Sequence, residues 1–140
     1  MKNKLIKTFI GLPKLSITYI IVYAISLSGA LYNHTHDLIF AGFLPYYDYP
    51  FWVNCYWTSL TFIEPFSILF LFIKPRIGII LCIFIIVTDV FINGSITILF
   101  NGFKGLLNFF FVCQFRFFLF VLATSSYILK SIKNSNQKAD

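Results

Sequence analysis

The sequence predicts an all-α membrane protein: a four-transmembrane-helix antiparallel bundle with both termini cytoplasmic. Three observations lead there. Hydrophobic residues make up 59% of the 140 residues and charged residues only 11%, whereas a soluble domain carries about 25% charged residues. The apolar residues gather into runs approaching or reaching the roughly 20 needed to cross a bilayer. The basic residues flank those runs instead of lying within them, with one exception.

The first run extends from Leu15 to Asn33. Ser16, Tyr19, Tyr23, Ser26, Ala30 and Asn33 recur there in steps of three and four, which places them on one helical face. A lysine-rich start, an apolar centre and small residues at Ser28 and Ala30 also fit a cleaved signal peptide. The continuous small and polar stripe favours a retained helix, because a discarded leader needs no packing face.

The next three runs are 51–73, 77–100 and 105–129. Backbone groups in lipid must be satisfied within the segment, so these are expected to be helices despite their β-branched and aromatic content. Lys74-Pro75-Arg76 joins the second and third, and Asn101-Gly102-Phe103-Lys104 joins the third and fourth. Connections this short make consecutive helices antiparallel neighbours. The longer loop, His34 to Pro50, has no Lys or Arg and holds Pro45, Tyr46, Tyr47, Tyr49 and Pro50, followed by Phe51 and Trp52. That composition is an interfacial aromatic belt. Residues 1–130 thus form one transmembrane domain, and the polar tail 131–140 is expected to be disordered.

Orientation follows from Lys2, Lys4, Lys7, Lys14, Lys74, Arg76, Lys130, Lys133 and Lys138. These nine of the eleven basic residues fall on one side if the N-terminus is inside. Lys104 alone lies outside, and Arg116 falls within the membrane. The positive-inside bias therefore puts both termini in the cytoplasm, with a bacterial inner membrane as the expected location. The net charge of +6 belongs to these flanks and forms no groove for nucleic acid.

Glu64, Asp89 and Arg116 are the informative residues, because ionisable groups within a span must face protein, a partner charge or water. At about 1.5 Å of rise per residue they lie about 14, 18 and 20 Å from the cytoplasmic side, in one layer. Asn54, Trp57, Thr61 and Glu64 share one face of the second helix, and Asp89, Asn93 and Thr97 share one face of the third. On the fourth, Asn108 and Arg116 are nearly aligned, with Gln114 on the far side, directed at another helix or a second subunit. Pro65 cannot donate to the Thr61 carbonyl, which leaves that carbonyl free beside Glu64. The expected site is a polar pocket opening outward onto a charged floor. Glu64 and Asp89 are its acids, Arg116 their counter-ion, and Asn54 and Asn93 orienting amides, with Trp57 and Thr61 on the same wall. Arg116 is expected to pair with Asp89, leaving one acid over. A proton, a cation or a cationic ligand would complete the set.

The alternative is a purely structural network, since buried polar groups also bind membrane helices together. His34, His36, Asp37 and Asp48 could hold zinc or copper, but their spacing is unspecific and no metal or cofactor is assigned. Cys55, Cys82 and Cys113 are scattered, form no C-x-x-C and act as small apolar residues. Nucleotide-binding and common hydrolase motifs are absent. The leading reading is an intramembrane site for a proton, a cation or an amphipathic small molecule, embedded in the lipid bilayer. Two other readings remain: an accessory subunit facing a membrane protein partner or a second copy, and a membrane enzyme using Glu64 or Asp89 as general acid or base.

Overall fold

The computed structural model describes Phe9 and residues 11–137. Lys2, Lys4, Lys7 and Lys138, which enter the orientation count, lie outside the described residues. Among the described residues, four helices are long and apolar enough to cross a membrane: α1 (Lys14–Ala41), α2 (Phe51–Ile73), α3 (Pro75–Asn101) and α4 (Phe109–Gln137). A short 3₁₀ turn, Phe103–Leu107, precedes α4.

Local chemistry sets the boundaries. Pro13 and Pro50 immediately precede α1 and α2, and Pro75 opens α3, where a missing N–H costs nothing. Gly102 ends α3 at φ 66°, a left-handed conformation that glycine adopts without penalty. Asn108 caps α4: its side-chain oxygen accepts from the Phe110 N–H at 2.8 Å, satisfying one of the free amides of the first turn.

Two elements differ from the sequence expectation. α1 runs to Ala41, so His34, His36 and Asp37 are helical, and the connecting loop shrinks to the residues between Ala41 and Phe51. Polar residues at the end of a span do not stop a helix; the stop comes at Gly42, with φ 86°. α4 begins later than expected and continues through Gln137. The expected disordered tail is therefore helical over residues 131–137, where Ile132 is buried and Ser135 donates to the Gly11 carbonyl at 2.8 Å. Residues 138–140 lie outside the described part.

The bundle is apolar outside as well as inside. Phe62, Phe66, Phe84, Phe91, Leu99 and Phe109 are all exposed, as expected where lipid is the solvent. Inside, α1 contributes Ile20, Tyr23, Ala24 and Leu27, and α4 contributes Val121 and Ile128. Tyr23 is the central residue of this core. It is 0% exposed, packs edge-on against Phe117 and Phe120, and lies 2.8 Å from the Thr124 hydroxyl. α2 and α3 approach most closely near their short connection. A Cβ on Gly78 would fall on the Leu71 backbone nitrogen, so glycine is required there.

Candidate functional site

Asp89 lies in α3, 7% exposed. Its Oδ2 accepts a hydrogen bond from Gln114 Nε2 of α4 at 2.5 Å. Gln114 Oε1 in turn accepts from Asn93 Nδ2 at 3.1 Å, and Asn93 Oδ1 accepts from Trp57 Nε1 of α2 at 2.6 Å. Trp57, Asn93, Gln114 and Asp89 thus form one chain of hydrogen bonds across three helices, ending on a carboxyl.

Glu64 is different. It is 0% exposed, and among the described residues neither carboxyl oxygen has a hydrogen-bond partner. The Thr61 hydroxyl, one turn earlier, also lacks a partner. Leaving a buried carboxylate unpaired is very costly, so such a group is neutralised by a proton or compensated by a positive charge.

Two adjoining cavities meet at this network. The outer one, about 570 Å³, is lined by His34, Asp37, Tyr46, Trp57, Asn93 and Gln114 among others. The inner one, about 430 Å³, reaches Glu64 and Asp89, with Leu27, Ile85, Phe110 and Phe117 among its apolar walls. Asn33, His34, Asn93, Phe110 and Gln114 line both. Volumes of this order are typical of small-molecule sites.

The mouth of the outer cavity is organised by Tyr46 in the loop between α1 and α2. Its hydroxyl donates to Asp37 Oδ2 at 3.0 Å and lies 3.1 Å from His34 Nδ1. The single hydroxyl proton goes to Asp37, so His34 is the donor at the second contact. Burial, then the hydrogen bond to Asp37, raises the Tyr46 pKa above its ordinary value. His34 and Asp37 thus hold a tyrosine in place. His36 is exposed, with its ring tilted against Phe40 and its Nδ1 3.5 Å from Asp37 Oδ1. No cluster of three metal-ligating side chains occurs among the described residues.

Of the residues expected in the site, Glu64, Asp89, Asn93 and Trp57 border the cavities. Asn54 does not. Its amide donates to the Leu44 carbonyl at 2.9 Å and accepts from the Tyr46 N–H at 3.2 Å, so it pins the loop. Thr61 lines neither cavity. Arg116 corrects the expectation most sharply. It is exposed and makes no ion pair with Asp89 or Glu64; the His36–Asp37 contact is the only one among the described residues. Gln114 occupies the interior position instead. The face of α4 is chosen by apolar packing: Phe117, Val121, Thr124 and Ile128 follow Gln114 in steps of three, four, three and four, all buried or half-buried. That spacing is visible in the sequence and identifies Gln114 as inward. The roles of His34, Asp37 and Tyr46 depend on contacts over nine and twelve residues and leave no comparable signal.

Comparisons with known proteins give no match: no family model, no curated protein and no solved structure corresponds to this chain.

Proposed function

We propose that this chain is a multi-pass membrane protein whose paired cavities bind a proton, a cation or an amphipathic small molecule from the outer side, on a floor formed by Glu64 and Asp89. The four spans alternate in direction, and both termini face the cytoplasm of a bacterial inner membrane. The short connections and the positive-inside distribution support that orientation. The observation that carries the functional reading is Glu64: a fully buried carboxyl that borders a cavity and has, among the described residues, neither a hydrogen-bond partner nor a basic group paired to it. With Arg116 outside, both acids await a positive charge. A network serving only stability would be better built from neutral groups, since a buried charge is costly unless paired.

Thermal unfolding in detergent tests this reading. Titration with sodium, potassium or acid should raise the melting temperature of the native protein, and Glu64→Gln and Asp89→Asn should abolish the response while still folding. An unchanged response in both variants contradicts it.

A second reading, an accessory subunit or homo-oligomer, is favoured by Arg116. A guanidinium exposed in mid-span is costly in lipid and would be satisfied by an acidic or polar group on another membrane protein. Co-purification of a stoichiometric partner that Arg116→Leu releases would support it.

A further inference from the structure

Resting on the reading of the cavity as a ligand site, the seam between α1 and α4 points to a specific ligand class and route. The two helices are closed where Tyr23 meets Phe117, Phe120, Val121 and Thr124. Beyond Tyr23 toward the loop, the facing residues are small on α1, at Ser26 and Ala30. A side chain on Gly29 would meet nothing within 4 Å. On α4 the same stretch carries Phe110 and Cys113, both exposed to the surroundings and both lining the inner cavity. A residue that is exposed yet lines an interior cavity marks an opening, and this one faces the side of the bundle, where lipid lies.

The chemistry at the end of that opening is selective. Glu64 borders the inner cavity, and its two oxygens have no hydrogen-bond partner among the described residues and no accessible surface, so a ligand reaches them when the side chain turns into the cavity. Asp89 Oδ2 is occupied by Gln114, its Oδ1 has a long 3.5 Å contact from Asn93, and the Tyr56 hydroxyl lies beside the carboxyl. The vacant acceptors call for hydrogen-bond donors carried on a positive charge, and the apolar walls of Leu27, Ile85, Ile86 and Phe117 call for a hydrocarbon body. Among the described residues the inner cavity has only two Phe, Tyr or Trp rings, Phe110 and Phe117, too few for the aromatic cage that encloses quaternary ammonium groups. We propose that the inner cavity takes a protonated primary or secondary alkyl amine from the bilayer. It enters between α1 and α4 and places its N–H groups on Glu64 and Asp89 Oδ1. A primary ammonium has three donors for these acceptors, whereas an alcohol has one and no charge, and a quaternary ammonium has charge and no donor.

The test compares dodecylamine, dodecanol and dodecyltrimethylammonium at equal mole fraction in lipid nanodiscs holding the full chain, reading the melting temperature. Only dodecylamine should stabilise. The shift should vanish in Glu64→Gln and in Ala30→Trp, which fills the seam. The head-group series uses the native protein, so it remains decisive even if a variant misfolds. Equal shifts from all three compounds, or a dodecylamine shift that survives both variants, overturn the proposal. Stabilisation by sodium or acid that depends on Glu64, with no response to dodecylamine, overturns this inference while leaving the cavity a cation or proton site. Absence of every Glu64-dependent response removes both.

Discussion

Gln114 of α4 donates a hydrogen bond to Asp89 of α3, closing a polar chain that starts at Trp57 of α2. One amide therefore does two things: it ties the fourth span to the third, whose Asn93 holds Trp57 of the second, and it partly satisfies a carboxyl that has no basic partner among the described residues.

Gln114→Leu removes that donor and strands Asp89. Loss of a buried hydrogen-bond partner costs about 1–3 kcal/mol, and more for a charged group. Arg116→Leu should not destabilise, because the guanidinium makes no ion pair among the described residues and its exposure in mid-span is itself costly. Melting of the two variants in detergent checks the order. An Arg116→Leu protein less stable than Gln114→Leu would place the charge network on the other face of α4.

Asn54→Ala should loosen the loop between α1 and α2, since the side chain holds both the Leu44 carbonyl and the Tyr46 N–H. The expected cost is about 1–3 kcal/mol. Hydrogen exchange at Tyr46 should accelerate while the amides of α3 stay protected. Uniform acceleration throughout the bundle would show that Asn54 supports more than the loop.

Gly78→Val should be severely destabilising, because the new side chain would fall on the α2 backbone at Leu71. Overpacking usually costs about 1–3 kcal/mol, occasionally more, and here the obstacle is main chain. A variant that melts like the native protein would mean that α2 and α3 do not approach as described.

Tyr46 gives a pH dependence with a definite sign. Burial and the hydrogen bond to Asp37 raise its folded pKa above the ordinary value of 10.0. As pH rises past that value, the unfolded chain loses the phenol proton while the folded chain keeps it. Stability is therefore fully present below about pH 10 and falls as pH climbs above it. Tyr46→Phe should flatten this alkaline decline. A decline of equal slope in the variant would assign it to another group.

Much of the fold was legible because membrane spans are written in long apolar runs and flanking charge. α2 was legible to the residue, from Phe51 to Ile73. The end of α1 was misread because His34, His36 and Asp37 look like loop residues. In the structure His34 and Asp37 are satisfied by Tyr46, a contact that no local pattern announces. The site was legible in its acids and not in its partners. A charge in mid-span was expected to turn inward, yet the rotation of α4 is set by Phe117, Val121, Thr124 and Ile128, and these bring Gln114 inside and Arg116 out.

The most direct measurement of the central claim is the infrared signal of Glu64 in the folded protein at neutral pH. With the cavity empty, a protonated carboxyl band should be present, weakened in Glu64→Gln, and converted to carboxylate when a cationic ligand binds. A band of undiminished intensity in Glu64→Gln, or one that no cation alters, would contradict the assignment of Glu64 as the binding acid.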